Sequence, residues 1–182
     1  GTTGSAAGVK VLYISPLKAL GVDVENNLRA PLTGIARTAE QLGLEAPNIS
    51  VGVRSGDTPS AERSRQVRKP PDILITTPES AYLMLTSKAA GSLKTVDTVI
   101  IDEIHALAGT KRGAHLALSL ERLDAMLERP TQRIGLSATV RPVEEVARCL
   151  AGGRPVETIR PPSTKEWDLD VVVPVPDLAD LG

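Results

Sequence analysis

Five short apolar segments, separated by longer segments with helical patterns, constrain the fold of this chain more than any other feature. They are rich in Val, Ile and Leu and predict β-strands at 9–15, 48–53, 72–77, 98–102 and 133–139. The segments between them predict helices at 16–30, 31–43, 60–69, 78–87, 112–128 and 142–152. Strands that alternate with helices favour a mostly parallel sheet with helices on both faces, so we expect an α/β fold.

The predicted helix at 112–128 has the most regular apolar pattern. One face of it carries Leu116, Leu120, Leu123 and Leu127. These positions follow the spacing of a single helical stripe, which is typical of a helix that packs on a core. We therefore expect this helix to cover the sheet.

Four of the predicted strands end in hydroxyl or carboxylate side chains. These are Ser15, Thr76 with Thr77, Asp102 with Glu103, and Ser137 with Thr139. In a parallel sheet the carboxyl ends of the strands lie at one edge, which is where α/β proteins bind ligands. A buried carboxylate without a partner is costly, so Asp102 and Glu103 are expected to face a polar site that could hold a cation.

The pair Asp102–Glu103 allows two interpretations. Nucleotide hydrolases place such a pair at a strand end, where the Asp lies in the outer shell of Mg²⁺ and the Glu orients and deprotonates the attacking water. Alternatively, the pair belongs to a solvated turn, where adjacent Asp and Glu are common. His105 and the Ser-Ala-Thr segment at 137–139 favour the first interpretation.

The composition limits the classes of protein that fit. The net charge is −1, so a nucleic-acid-binding surface would have to be local. Cys149 is the single cysteine, which excludes an internal disulfide and a multi-cysteine zinc site and fits a reducing cytosol. No apolar run approaches about 18 residues and no secretory signal is present. We expect a cytoplasmic protein without a membrane span.

Four short segments resemble, in order and spacing, motifs of superfamily-two helicases. "SPLKAL" at 15–20, "TTPES" at 76–80, "DEIH" at 102–105 and "SAT" at 137–139 resemble motifs Ia, Ib, II and III. The stretches "YISPLKALGVDVENNLRAPL" and "GTKRGAHLALSLERL" are similar to the large helicase-related (Lhr-type) branch of DEAD/DEAH-box proteins. This resemblance implies a RecA-like domain of the P-loop NTPase type that hydrolyses ATP while it holds a nucleic-acid strand.

The resemblance also implies roles for individual residues. Asp102 would hold Mg²⁺ through water and Glu103 would act as the general base. His105 would link the nucleotide site to motif III. That motif would relay the state of ATP to the nucleic-acid side through Ser137, Ala138 and Thr139.

Four places in the chain are candidates for contact with the phosphates of a strand. Hydroxyls, backbone N–H groups, helix N-termini and Lys or Arg are the usual donors. The candidates are Ser15, Pro16, Lys18, Ser55, Gly56, Asp57, Thr76, Thr77, Pro78, Glu79 and Arg112. The basic helix at 60–69 is either a further contact or a solvated face. Because few aromatic side chains are available for stacking, little sequence preference is expected.

The phosphate loop G-x-x-x-x-G-K-[ST] is absent from these 182 residues, because none of the 15 glycines is followed by Lys. The resemblance therefore implies a first RecA-like domain that lacks its phosphate-loop strand and helix, together with a missing second RecA-like domain. We expect a lead-in at 1–8, the partial domain at 9–153 and an exit segment at 154–182. Residues 133–137 should form an open sheet edge.

The leading hypothesis is the motor of an ATP-dependent helicase or translocase that uses ATP and Mg²⁺ to move on single-stranded DNA or an RNA–DNA hybrid. This chain by itself is expected to hydrolyse no ATP. One alternative is a stand-alone module that binds single strands without ATP turnover. Another is a metal-dependent phosphoesterase built on Asp102, Glu103, His105 and His115. The two histidines fall on different predicted elements, which disfavours that alternative.

Overall fold

The computed structural model describes residues 8–138 and 142–160. All five predicted strands are present. They are β1 Val11–Ile14, β2 Val51–Arg54, β3 Ile73–Thr76, β4 Thr98–Ile101 and β5 Gln132–Gly135. They form one sheet in the order β2-β3-β1-β4-β5, and every pairing is parallel. The expected α/β architecture is confirmed.

The helices also follow the prediction, with one exception. They are α1 Lys18–Gln41, α2 Ser60–Arg68, α3 Pro78–Leu85, α4 Lys111–Ala125 and α5 Val143–Ala151, with short 3₁₀ helices at Lys88–Leu93 and Ile104–Ala106. Of the predicted lead-in and exit segment, residues 1–7 and 161–182 lie outside the described part of the chain. Residues 154–160 form no helix or strand.

The prediction of two helices at 16–30 and 31–43 was wrong, because α1 is continuous through Pro31. A proline inside a helix removes one N–H donor and crowds the preceding turn. Here the turns around it are braced by local side-chain bonds. Arg29 donates to Glu25 at 3.0 Å, and the Thr33 hydroxyl donates to the Arg29 carbonyl at 2.8 Å. The helix begins after Pro16 rather than at it.

One face of the sheet holds the main core. Alternate strand residues, including Leu12, Leu74 and Val99, are buried there beneath α3, α4 and α5. Leu116, Leu120 and Leu123 of α4 are buried in the same cluster, and Leu127 packs against it, so the predicted apolar face is confirmed.

The opposite face is covered unevenly. Helix α1 packs over β2 and β3, where Ile75 is buried and lies close to Gly21. Further along the same face, Tyr13, Ile100 and Ile134 lie side by side in register; the first two are partly buried and Ile134 is exposed. Helices therefore lie on both faces, as expected, although no helix of the described residues covers the second face over β4 and β5.

Strand β5 forms one edge of the sheet. Among the described strands it pairs only with β4, which agrees with the open edge expected at 133–137. Its inner side is fixed by Arg133, whose side chain is 4% exposed. The Arg133 guanidinium donates to Asp124 at 2.7 Å and to Glu121 at 2.8 Å, both on α4, and to the Leu150 carbonyl at 3.1 Å. Arg133 thus ties the edge strand to α4 and α5, while no described strand pairs with its outer side.

This open edge predicts that the isolated chain associates with itself through β5. Substitution of Ile134, which is 36% exposed on the edge strand, by Glu should reduce the association, because charges on edge strands oppose further pairing. Sedimentation velocity over a concentration series measures it. Ile35→Glu is the matched control, since Ile35 is an exposed apolar residue of α1 outside the sheet. A wild-type chain that stays monomeric at every concentration would contradict the prediction.

Candidate functional site

The carboxyl ends of the strands bring the predicted site residues to one edge of the sheet, in two groups. Strands β4 and β5 carry the acidic and Ser-Ala-Thr segments, whereas β2, β3 and β1 carry the candidate phosphate-binding turns. Neighbouring strands lie about 5 Å apart, so both groups fit within a single sheet edge. The side chain of Lys18 and residue Thr139 lie outside the described part of the chain.

The acidic group begins where β4 ends. The backbone N–H of Asp102 still donates to the Ile14 carbonyl of β1 at 2.9 Å. The next residue, Glu103, has φ 46° and ψ 41°, and it is the only described residue other than glycine with a positive φ. This left-handed conformation costs roughly 1–2 kcal/mol for a residue with a side chain. The backbone therefore turns sharply at the predicted general base.

The ring of His105 joins this acidic group to the Ser-Ala-Thr segment. Its Nδ1 lies 3.2 Å from a carboxylate oxygen of Glu103 and 3.2 Å from the Ser137 hydroxyl oxygen. The Ser137 hydroxyl also lies 2.8 Å from the Ala138 carbonyl, to which it donates. The His105 ring thus contacts both the acidic group and the Ser-Ala-Thr segment through one nitrogen. The structure brings together the residues between which the sequence predicted a link.

Tyr13 is a residue of this group that the sequence analysis missed. It lies on β1 opposite Ile100 of β4, on the sheet face shared with Asp102. Burial raises the pKa of Tyr13 to about 12, with smaller contributions from a hydrogen bond with Asp102 and from the charges of Asp102 and Glu103. The sequence signal that could have identified Tyr13 as a site residue is its position on the central strand, two residues before Ser15.

The second group of residues lines a shallow cleft at the ends of β1, β2 and β3. The residues around it are Ser15, Leu17, Gly21, Val53, Arg54, Ser55, Ile75, Thr76 and Thr77. Segments that lie far apart in sequence thus meet here, as predicted. Three predicted hydroxyls are buried and already hydrogen-bonded, those of Ser15, Thr76 and Thr77. These side chains shape the turns, which leaves backbone groups at the edge to contact a ligand.

The hydroxyl of Thr77 caps helix α3. It accepts a hydrogen bond from the Ser80 N–H at 3.3 Å, and Pro78 occupies the first helical position. A capped helix N-terminus presents backbone N–H groups and a positive dipole end, which favour an anion. The helix end at the "TTPES" segment is therefore compatible with a phosphate, and its capping residue Thr77 also lines the cleft.

Glu79 and Arg112, predicted separately, pair with each other. The Arg112 guanidinium contacts both carboxylate oxygens, with Nη2 3.0 Å from Oε2 and Nε bonded to Oε1. This bidentate contact joins the first turn of α3 to the first turn of α4. The Arg112 hydrogen bond is the main cause that lowers the pKa of Glu79 to about 2, against the opposing effect of burial.

The remaining histidine has a packing role. His115 of α4 lies edge-on against the ring of Tyr82 of α3, with 4.5 Å between the ring centroids. Within residues 8–138 and 142–160, no three His, Cys, Asp or Glu residues are grouped to hold a metal ion. Across the same residues, no helix is both long and apolar enough to cross a membrane.

Comparison with protein families gives a match over residues 3–146 to the family described as DEAD/DEAH box helicase. The matched range contains all four motif segments that the sequence analysis identified. The chain therefore belongs to the DEAD/DEAH box helicase family, and its parallel sheet is the RecA-like fold that was expected.

Within that family the chain is similar to Lhr helicases. It is 66% identical to the "Lhr helicase/ probable uracil glycosylase" of Mycolicibacterium smegmatis over 96% of this chain and 12% of that protein. It is 59% identical to the "Lhr helicase/uracil glycosylase" of Escherichia coli strain K12 over 95% of this chain and 11% of that protein. These values confirm the Lhr-type resemblance, and the chain spans a small part of either relative.

A solved structure of Mycobacterium smegmatis helicase Lhr bound to ssDNA and AMP-PNP is also similar. It superposes with a TM-score of 0.87 at 65% sequence identity and covers 97% of this chain and 23% of that chain. The two groups at the sheet edge thus occur in a fold that is closely shared with this relative.

The Glu79–Arg112 pair predicts a pH-dependent contribution to stability. The pKa of Glu79 is about 2 in the folded chain and about 4.5 ordinarily, so the stabilisation is present above pH 4.5 and is lost as the pH falls toward 2. Both side chains are partly exposed, which limits the coupling to about 1 kcal/mol or less. A double-mutant cycle of Glu79→Gln and Arg112→Gln, measured by urea unfolding, should give a smaller coupling at pH 3.5 than at pH 6.5. Equal couplings at the two pH values would contradict this.

Proposed function

We propose that this chain is part of the first RecA-like domain of an ATP-dependent helicase that translocates on single-stranded DNA or an RNA–DNA hybrid. The observation that carries the proposal is the contact of His105 with both Glu103 and Ser137. This contact joins a predicted catalytic carboxylate to the segment expected to signal toward the strand. The solved M. smegmatis relative has ssDNA and AMP-PNP bound, which supports a DNA strand and ATP as the ligands of this domain.

The acidic group fits a magnesium–nucleotide complex. Carboxylate oxygens are hard ligands, and Mg²⁺ in phosphate-transfer sites takes one or two of them together with waters and substrate phosphates. Asp102 would hold the ion through water, which leaves Glu103 to act as the general base. When bound, Mg²⁺ neutralises charge on the phosphates. The Tyr13 phenol, beside Asp102, would hold that carboxylate in place.

Glu103 is suited to take a proton from an attacking water. Its carboxylate lies 3.2 Å from Nδ1 of His105, a contact that would hold the carboxylate in a defined orientation. If Glu103 moves when the nucleotide changes state, the His105 ring would transmit that movement to Ser137. We propose that this is the coupling step between the two groups.

The cleft at β1, β2 and β3 is the proposed strand site. The positive dipole end of α3 and the Gly56 N–H in the loop at 55–58 would contact phosphates without reading bases. With the hydroxyls of Ser15, Thr76 and Thr77 engaged within the protein, backbone contact is the mode that the geometry favours. Binding should therefore be tolerant of sequence and sensitive to salt.

The proposal places the protein in the cytoplasm. Burial raises the pKa of the Cys149 thiol, which makes the only cysteine less reactive.

A stand-alone strand-binding module remains the second candidate, because the strand cleft is present in these residues whereas the phosphate loop is absent from the sequence.

The absence of a phosphate loop predicts that this chain alone binds magnesium–ATP weakly and hydrolyses none. A chimera in which residues 9–153 replace the matching segment of the M. smegmatis relative should bind and hydrolyse ATP in the presence of a DNA strand. Calorimetric titration and phosphate release measure the two steps. ATP turnover by the isolated chain would contradict the prediction, and an inactive chimera that still binds DNA would favour the stand-alone module.

In the same chimera, Glu103→Gln should lower kcat by about 100-fold or more, because it removes the general base. ATP affinity should change little, since the glutamine keeps the size and one oxygen. Glu45→Gln is the matched control, because Glu45 is an exposed acid in the loop after α1. Full activity of the Glu103 variant would refute the assigned role.

A further inference from the structure

Arg63 of α2 points its guanidinium into the loop at 55–58 rather than toward solvent. Its Nε donates to the Thr58 carbonyl at 2.8 Å, and its Nη2 donates to the Gly56 carbonyl at 2.6 Å and the Ser55 carbonyl at 3.4 Å. One planar group thus gathers three backbone carbonyls of a four-residue loop. The next arginine, Arg65, behaves differently, since it is exposed and paired with Glu62.

This arrangement determines which backbone groups the loop presents at the sheet edge. The carbonyl oxygens, which would repel a phosphate, are drawn toward the Arg63 guanidinium. Three of the loop N–H groups are used inside the loop. The Ser55 N–H donates to Thr58 Oγ1 at 2.9 Å, the Asp57 N–H to Ser55 Oγ at 3.3 Å, and the Thr58 N–H to the Ser55 carbonyl at 3.3 Å. The loop is therefore held in one conformation both by the Arg63 guanidinium and by hydrogen bonds within the loop.

Gly56 is the exception within this loop. In the described part of the chain its N–H has no hydrogen-bond acceptor, although its carbonyl is held by Arg63. Glycine has no side chain to obstruct an approaching strand, and the residue is exposed. An exposed, unpaired N–H beside a strand-binding cleft is a donor suited to a phosphate oxygen.

A second contact fixes Arg63 itself. Arg54, at the end of β2, donates to the Arg63 carbonyl at 3.4 Å, which ties the first half of α2 to the sheet. Burial, with a smaller effect of the neighbouring Arg63 charge, lowers the pKa of Arg54. Arg63 therefore contacts the sheet through its backbone carbonyl and the loop through its guanidinium.

We propose that Arg63 is a positioning residue for nucleic-acid binding, which holds the loop at 55–58 so that the Gly56 N–H contacts a phosphate of the strand. This inference rests on the proposed function, because it assumes that the loop contacts a strand. Arg63 contributes through the carbonyls it holds, and not through its own charge. Lysine cannot replace it, because a single ammonium group cannot reproduce the planar fork of donors.

The test compares Arg63→Lys and Arg63→Gln with Arg68→Gln, a control on the same helix in which an exposed arginine is removed. The affinity of the chain for a fluorescent single-stranded DNA is measured over a series of salt concentrations. Both Arg63 variants should bind about 10-fold more weakly, with the same dependence of log Kd on log salt as the wild type. Loss of a direct contact between the charged Arg63 side chain and a phosphate would instead reduce that slope by about 0.7 for a single strand, because the slope counts phosphates neutralised by cations.

Thr58→Val is a second variant that loosens the loop without changing charge, since it removes the acceptor for the Ser55 N–H. It should weaken binding with an unchanged slope, which keeps the test decisive if an Arg63 variant fails to fold. Hydrogen exchange should show faster exchange at Asp57 and Thr58 in the Arg63 variants than in the Arg68 variant.

Two results would overturn the inference in different ways. If Arg63→Lys binds like the wild type while Arg63→Gln binds with a reduced slope, Arg63 contacts phosphate directly and the positioning role is refuted. If the wild-type chain does not bind the strand at all, the proposed strand site fails, and the binding role given to Arg63 fails with it. Faster exchange in the loop would then report a structural role only.

Discussion

The parallel pairing of β1 with β3 on one side and β4 on the other is the constraint on which the rest of the structure depends. It places Ser15, Thr77 and Asp102 at the same edge, because each follows a strand in register with its neighbours. The ladder even continues past β4, since the Asp102 N–H still donates to Ile14. The acidic group therefore begins from a rigid strand end, and rigid placement is what a catalytic carboxylate needs.

The strand order also separates two kinds of chemistry. The acidic and Ser-Ala-Thr segments lie on β4 and β5, whereas the strand cleft lies on β2, β3 and β1. Within each group, side chains with polar atoms are used to fix backbone turns. Thr77 caps α3, Arg63 gathers carbonyls, and His105 bridges Glu103 and Ser137. Polar side chains that looked like ligands in the sequence often turn out to be the supports of the site.

Much of the fold could be predicted, because the signals were local. Short Val- and Ile-rich runs gave five strands, and the spacing of Leu116, Leu120 and Leu123 gave the buried face of α4. The break predicted at Pro31 was wrong, because propensity is a weak prior that context overrides and α1 runs on through the proline. The partnership of Glu79 with Arg112 could not be predicted, since these residues lie 33 positions apart and meet only when α3 packs on α4.

The sequence by itself determined the types of element, the polar strand ends, the family resemblance and the absence of a phosphate loop, because each is written in residue types over short distances. Only the tertiary structure decided the order of the strands, the approach of Tyr13 to Asp102 and the inward turn of Arg63. The physical reason is the distance along the chain over which each effect acts. Propensity and periodicity act within a few residues, whereas the partner of a polar side chain depends on which distant backbone is packed beside it.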